Sequence, residues 1–486
     1  MSDAKLSTDR IEPYVWKIAG VVILGMMMSI LDTTIVNVAL DTLGRDLHST
    51  IAQIQWVATG YLLALAAVIP LTGWAARRFG AKRVYLGSIV LFTVGSALCG
   101  LAESSTSLIL FRVLQGIGGG MIMPIAQMIM AEVAGPKRMG KVMSIVVMPA
   151  MLAPILGPVV GGLILENLHW SWIFFVNVPI GIVAAVLGAR MLPDSELGEA
   201  GKLDVVGLVL LVTGMPLVVY GLSEIGTRES FTAPTVLWPI GVGIALILAF
   251  GRHALRTARP LLDVRLYANR VFTAASLTTF GLGAALFGAM ILIPLYYQQV
   301  RGESVIVTGL LLGPQGLGML MVAPFIARLT QRFGGGRVAV VGVSLLILSS
   351  LPLAFIAADT SILLISFTLL LRGIGIGLSF IPTTTVAFAS LRTDQLSDAT
   401  PQMNVLQRVG GAIGTAVLAV VLQRASVGAD TPSELAGAFA TANWWALGIA
   451  ALSLIPCIVL LRAEGPRHKP TPAEEVAEST LEPLGA

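Results

Sequence analysis

Gly25-Met26-Met27-Met28-Ser29-Ile30-Leu31-Asp32-Thr33-Thr34-Ile35-Val36-Asn37-Val38-Ala39-Leu40 is the stretch on which the reading of this chain turns. It completes an apolar run that begins at Ile18 and is long enough to cross a bilayer as a helix. Asp32 sits deep inside that run, and no other Asp or Glu lies so far from the end of an apolar segment. A carboxylate at such depth is costly and normally turns toward a polar cavity or a partner. It reads either as a group that couples protons or cations, or as a structural aspartate held by neighbouring helices.

The remainder of the chain has the same character. Of 486 residues, 56% are hydrophobic and 12% charged, whereas a soluble domain carries about 25% charged residues. This is the composition of an all-α polytopic membrane protein with the lipid bilayer as its surroundings. Apolar runs of about 20 residues mark helix spans. Fourteen are expected, near 15–40, 53–75, 84–102, 107–131, 141–165, 172–191, 204–224, 235–252, 271–297, 305–327, 338–357, 361–386, 402–423 and 443–462. Lys and Arg fix the orientation. With the N-terminus inside, 24 of the 31 basic residues fall in inside segments and 4 in outside loops, while Arg112, Arg372 and Arg408 lie within spans. Both termini are therefore expected in the cytoplasm. The isoelectric point near 9.2 follows from these loops and gives no reason to expect nucleic acid as a partner.

Cys99 and Cys457 fall inside apolar runs and are expected to be free thiols. The histidines, His48, His169, His253 and His468, sit in loops or at helix ends, which supports no metal site. No nucleophile–base set or nucleotide loop points to an enzyme. The segment 463–486, with prolines among glutamates, reads as a disordered tail.

The chain repeats itself. Arg78-Phe79-Gly80 with Arg83 recurs as Arg332-Phe333-Gly334 with Arg337, offset by 254. Gly116-Ile117-Gly118 with Gly120 recurs as Gly373-Ile374-Gly375 with Gly377, offset by 257. The expected organisation is a cytoplasmic tail (1–14), a six-helix bundle (15–191), a loop with two inserted helices (192–252), a basic loop (253–270), a second six-helix bundle (271–462) and the tail (463–486). Internal repeats of this kind mark secondary transporters, with the substrate between the halves near the midplane.

Three segments carry candidate chemistry. In the fourth span, Arg112 and Gln115 share a helix face, and Arg112 keeps its charge when buried. Arg112 can pair with Asp32 or bias its proton affinity; the alternative is that it only hydrogen-bonds backbone. In the fifth span, Ala153, Gly157 and Gly161 make one smooth stripe, and Pro154, Pro158 and Gly162 a second beside it. Small residues allow close helix contact and prolines break backbone bonds, so this helix reads as a gate or as a static kink. The loop Gly73-Trp74-Ala75-Ala76-Arg77-Arg78-Phe79-Gly80-Ala81-Lys82-Arg83 carries four positive charges, Arg77, Arg78, Lys82 and Arg83. It reads as an orientation signal or as a latch between helix ends.

Over residues 15–462 the chain resembles the fourteen-helix EmrB/QacA-type drug:proton antiporter-2 family of the major facilitator superfamily. Leu31 to Leu40 resembles the family's first-helix motif, Arg112 to Gly120 its fourth-helix motif and Gly157-Pro158-Val159-Val160-Gly161-Gly162 its fifth-helix antiporter motif. Trp170 to Gly181, Pro260 to Tyr267 and Arg408 to Gly414 resemble further family elements. Three positions depart from the pattern. Arg77 stands where the family usually has Asp, Ala81 where it has a basic residue, and Ala153 where it has Gly. The acidic member of the usual charge latch is thus missing from this loop.

The resemblance implies a bacterial inner-membrane exporter of small amphipathic or cationic compounds, working by alternating access. Protons are the coupling ion, with no other cofactor. Asp32 would take the proton, Arg112 would set its affinity, and Arg408 would be the charge of the thirteenth helix. Asn37, Tyr61, Gln115, Met121, Gln127, Met290 and Gln315 are candidate cavity residues. A narrow exporter of one antibiotic, metabolite or lipid fits the same residues, and the fifth-helix motif disfavours an uptake symporter. On a periplasmic adaptor as a partner the sequence is silent.

Overall fold

The computed structural model describes residues 13–194, 201–228, 232–392 and 395–464, without the side chains of 13, 41, 51–52, 134–155, 158, 226–228 and 305. Its described secondary structure is helical throughout. The first half comprises α1 (Pro13–Asp46), α2 (Ile51–Val68), α3 (Thr72–Phe79), α4 (Ala81–Gly100), α5 (Ser105–Asn167), α6 (Trp172–Phe175) and α7 (Asn177–Met191). Two inserted helices follow, α8 (Val205–Arg228) and α9 (Pro234–Arg256). The second half comprises α10 (Arg270–Gln299), α11 (Val305–Leu311), α12 (Gly313–Phe333), α13 (Gly335–Ser350), α14 (Ile362–Ala389), α15 (Leu396–Ser426) and α16 (Pro432–Glu464).

Thirteen helices among the described residues are long and apolar enough to cross a membrane, α2–α3, α6–α7 and α11–α12 each contributing one span. The expected span at 141–165 lies largely where side chains are not described, within α5. That element has 63 residues and would run about 94 Å if straight. Arg112 and Gly157, however, both meet one turn of α1, at Asp32 and Thr34. The chain therefore doubles back between them, and α5 supplies two antiparallel legs.

Side chains capable of capping sit where helices begin. Thr50 accepts from Gln53 N ahead of α2, and Ser104 and Ser107 form a reciprocal pair ahead of α5. The internal repeat has a backbone counterpart: Gly80 (φ 86°) and Gly334 (φ 91°) make the same left-handed turn before α4 and α13.

In the first half, α1 and α4 pack on α5 and α7, and α2 on α5; in the second, α10 packs on α15 and α16, and α14 on α12 and α13. Helix α8 touches both halves. Trp56 of α2 stacks on Tyr220 of α8 at 5.8 Å, and Val218 and Leu222 of α8 pack with Ala416 and Val420 of α15.

The halves also meet directly. Gly73 lies against the Ser397 carbonyl, so only a residue without a side chain fits there. Arg77 Nη1 donates to Ser397 Oγ at 2.6 Å and lies 3.1 Å from Asp398 Oδ1. The acidic partner missing from the Arg77 loop is thus supplied by α15 of the other half. Arg78 and Arg83 are exposed, and Lys82 Nζ is 3.0 Å from Asp194. Gly162 packs on Ile306 and Val159 on Gly309 where α5 meets α11.

Candidate functional site: a buried Asp32–Arg112 network

Asp32 is fully buried, and its two oxygens are taken up separately. Oδ2 accepts from Arg112 Nη1 at 2.5 Å. Oδ1 accepts from Gln115 Nε2 at 2.9 Å and from Asn177 Nδ2 at 2.9 Å. Helical spacing explains the Arg112–Gln115 pair: three residues apart, they project together, and Arg112 Nη1 also donates to Gln115 Oε1 at 2.8 Å. Arg112 Nε donates to the Val57 carbonyl at 3.2 Å, and the guanidinium carbon lies 4.1 Å from the Tyr61 ring centroid. That distance is within cation–π range. The Tyr61 hydroxyl lies 3.3 Å from Ser29 Oγ.

A further layer holds the first. Asn177 Nδ2 also donates to Ser96 Oγ at 3.1 Å, and Ser96 Oγ donates to the Phe174 carbonyl at 2.9 Å. The Cys99 thiol reaches Gln115 Oε1 at 3.5 Å. Thus α1, α2, α4, α5 and α7 all contribute to one charge pair inside the first half. Small residues let these helices close on it. A Cβ at Gly95 would fall 2.8 Å from the Gln115 backbone, and one at Gly157 would overlap Thr34, two residues past Asp32.

Of the residues singled out from the sequence, Asp32, Tyr61, Arg112 and Gln115 come together here. Asn37 is exposed and takes no part. Met121 packs at the edge of the core shared by α1, α4 and α5, and Met290 against the core of the second half. Gln315 is half-buried on α12, its carbonyl against Gly373. Gln127 is buried and accepts from Asn404 Nδ2 of α15 at 2.8 Å, so it joins the two halves. Arg408 lies one turn beyond Asn404 on the same face of α15. In the fifth-helix motif, Gly157 and Gly161 face α1 and Gly162 faces α11. The side chains of Pro154 and Pro158 lie outside the described residues. Sequence reading missed Asn177, Ser96, Ser29 and Cys99. For Asn177 the signal was there: an amide in an apolar span calls for a partner.

Two helical halves with a repeated motif, two inserted helices and a buried ion pair in the first half define a membrane transporter of the secondary type. The sequence profile of the Major Facilitator Superfamily matches residues 22–415. The chain is 40% identical over 417 residues to the multidrug resistance protein B homolog of Mycobacterium tuberculosis, covering 85% of this chain and 77% of the relative. It is 32% identical to the multidrug export protein EmrB of Haemophilus influenzae, covering 81% and 78% respectively. The crystal structure of the human organic anion transporter MFSD10 shares the fold with a TM-score of 0.64 at 16% identity, covering 92% of this chain and all (100%) of the other. A double-tryptophan mutant of XylE superposes with a TM-score of 0.65 at 14% identity, covering 96% and 99%. The chain belongs to the major facilitator superfamily, in its EmrB/QacA-type branch.

Proposed function

We propose that this protein is a proton-coupled exporter of small amphipathic compounds in a bacterial inner membrane, with both termini cytoplasmic. Relatives named for multidrug resistance and export support the substrate class and the direction. The coupling role rests on one observation: the chain's deepest carboxylate, Asp32, is fully buried and paired to Arg112. With three side chains donating to it and no exposed surface, Asp32 cannot be reached by a proton in this arrangement. Proton uptake therefore requires a second arrangement in which α5 or α7 moves relative to α1. Export coupled to that movement is alternating access, with Gly157 and Gly161 as the surface on which α5 slides past α1. Substrate passes between the halves, past Gln127, Asn404 and Arg408.

The test is transport in proteoliposomes with an imposed pH gradient, using a panel of lipophilic dyes. Wild type should accumulate dye uphill. Asp32→Asn keeps the shape and removes the titration, so it should lose uphill accumulation and proton release on substrate addition while retaining downhill flux. Uphill transport by Asp32→Asn at the wild-type rate would place coupling elsewhere.

A further inference from the structure

The second half has a deep groove lined by residues of that half alone. It holds about 1370 Å³ between α10 and α16, with α15 as its floor. Gly448 on the α16 wall leaves open space where a side chain would stand, while Gly281 and Gly414 bring the helices together, Gly281 against Ser453 and Gly414 against Ala284. Its walls are apolar along most of their length, and its ends differ. Arg270 and Arg462 stand at one end, beside Tyr267; Trp444 and Trp445 stand at the other. Both arginines are exposed, and neither has a carboxylate partner among the described residues. Burial pushes the Tyr267 phenol up to about 12, so it stays a neutral donor. From Trp444 to Arg462 the groove runs along 18 residues of α16, about 27 Å of helix, close to the thickness of a hydrocarbon core.

We propose that this groove binds an anionic phospholipid, its phosphate held between Arg270 and Arg462 and its acyl chains laid along the apolar channel. The charge is complementary, and the arginine end is where basic residues concentrate, the face that meets an anionic leaflet. The dimensions agree as well. Arg270 to Gly281 spans 11 residues, about 16 Å of helix, which is half the apolar thickness of a bilayer. The chain ends would therefore fall at the depth of Gly281, near the middle of the groove. A second copy of the protein fits less well. Copies related by an axis along the membrane normal meet at equal depth, which would oppose arginine to arginine. The bound lipid braces α15, the helix that carries Asp398 and Asn404 to the other half, so its occupancy reaches the transport cycle.

Native mass spectrometry of the full chain, released from nanodiscs of phosphatidylglycerol or of phosphatidylcholine, tests this. Wild type should retain phosphatidylglycerol selectively. Arg270→Gln with Arg462→Gln should weaken that retention roughly thirtyfold, each arginine being worth about a factor of five at a membrane surface. Gly448→Leu keeps both charges and fills the channel, since nothing lies within 4 Å of a Cβ there. It should fold normally and lose the lipid, which carries the test if the double variant does not fold. Equal retention of the two lipids by wild type, unchanged retention by Gly448→Leu, or a dimer mass that Gly448→Leu abolishes would each overturn the proposal.

Discussion

At the scale of single residues, Asp32 and Arg112 are worth more as a pair than either is alone. Removing one member of a buried ion pair costs about 3–5 kcal/mol, because the other is left uncompensated, while removing both charges often costs little. Asp32→Asn should therefore lower thermal stability, and adding Arg112→Gln should restore much of the loss without restoring uphill transport. A double variant no more stable than Asp32→Asn would contradict the geometry of the pair. These two residues were legible in the sequence because a charge within an apolar span has few explanations. Asn177 was less so: its partner is 145 residues away, and an amide's partner cannot be named from spacing.

A second carboxylate makes a pH prediction. Asp204 sits in the loop before α8. Burial alone would raise its pKa, but this is outweighed by the Gly207 N–H, by His253 and by the Leu261 N–H, so its carboxyl is held below the usual range. A carboxylate with a lowered pKa adds stability that is fully present above its unfolded value, near 3.9, and is lost as pH falls through its folded value. Asp204→Ala should cost roughly 1–2 kcal/mol at neutral pH, as lost caps do. In thermal unfolding, the gap from wild type should narrow below about pH 4. A gap independent of pH would mean that the ionised form contributes nothing.

At the scale of elements, the period of small residues along α5 was readable and the identity of its partners was not. Four-residue spacing shows that a smooth face exists; the structure places α1 on it, through Thr34 and Ile35, and α11 beside it at Gly162. Gly157→Leu would force a branched side chain into Thr34, and overpacking of this kind costs about 1–3 kcal/mol. If α5 slides on α1 as proposed, the variant should insert normally and lose most of its transport rate. Wild-type rates would show that α5 does not move on α1.

The Arg77–Asp398 pair teaches the same lesson about distance. Its acid, Asp398, lies in the other half, out of reach of any local pattern. The pair is partly exposed, with side chains 26% and 17% accessible, and is worth at most about 1 kcal/mol. Arg77→Asp would set two carboxylates against each other and shift the balance of open and closed states about fivefold. The exchange of both charges, Arg77→Asp with Asp398→Arg, should bring transport back toward wild type. If the exchange performs no better than the single change, the pair does not latch the halves.

At the scale of the whole molecule, the two-half architecture was legible because repeated motifs survive as repeated turns, at Gly80 and Gly334. The place of the inserted helices was not, since hydropathy reports that α8 and α9 span and not what they touch. The structure puts α8 between α2 and α15, and the segment leading into α8 is tied to the Arg77 loop: Trp74 Nε1 donates to the Gly201 carbonyl at 3.2 Å. Asp204 and His253, 2.8 Å apart, bring the start of α8 and the end of α9 together. With 24 and 23 residues, these helices measure about 36 and 35 Å, each enough to cross a core about 30 Å thick. A reporter fused after Lys202 should therefore lie on the same side as one fused after Arg256, and a reporter near Thr227 on the opposite side. The excess of basic residues around Lys202 and Arg256 predicts that the shared side is the cytoplasmic one. Alkaline phosphatase fusions, active only outside the cytoplasm, should be silent at the first two sites and active at the third. Activity at Lys202 and Arg256 would invert the whole molecule, and silence at Thr227 would mean that α8 and α9 do not cross.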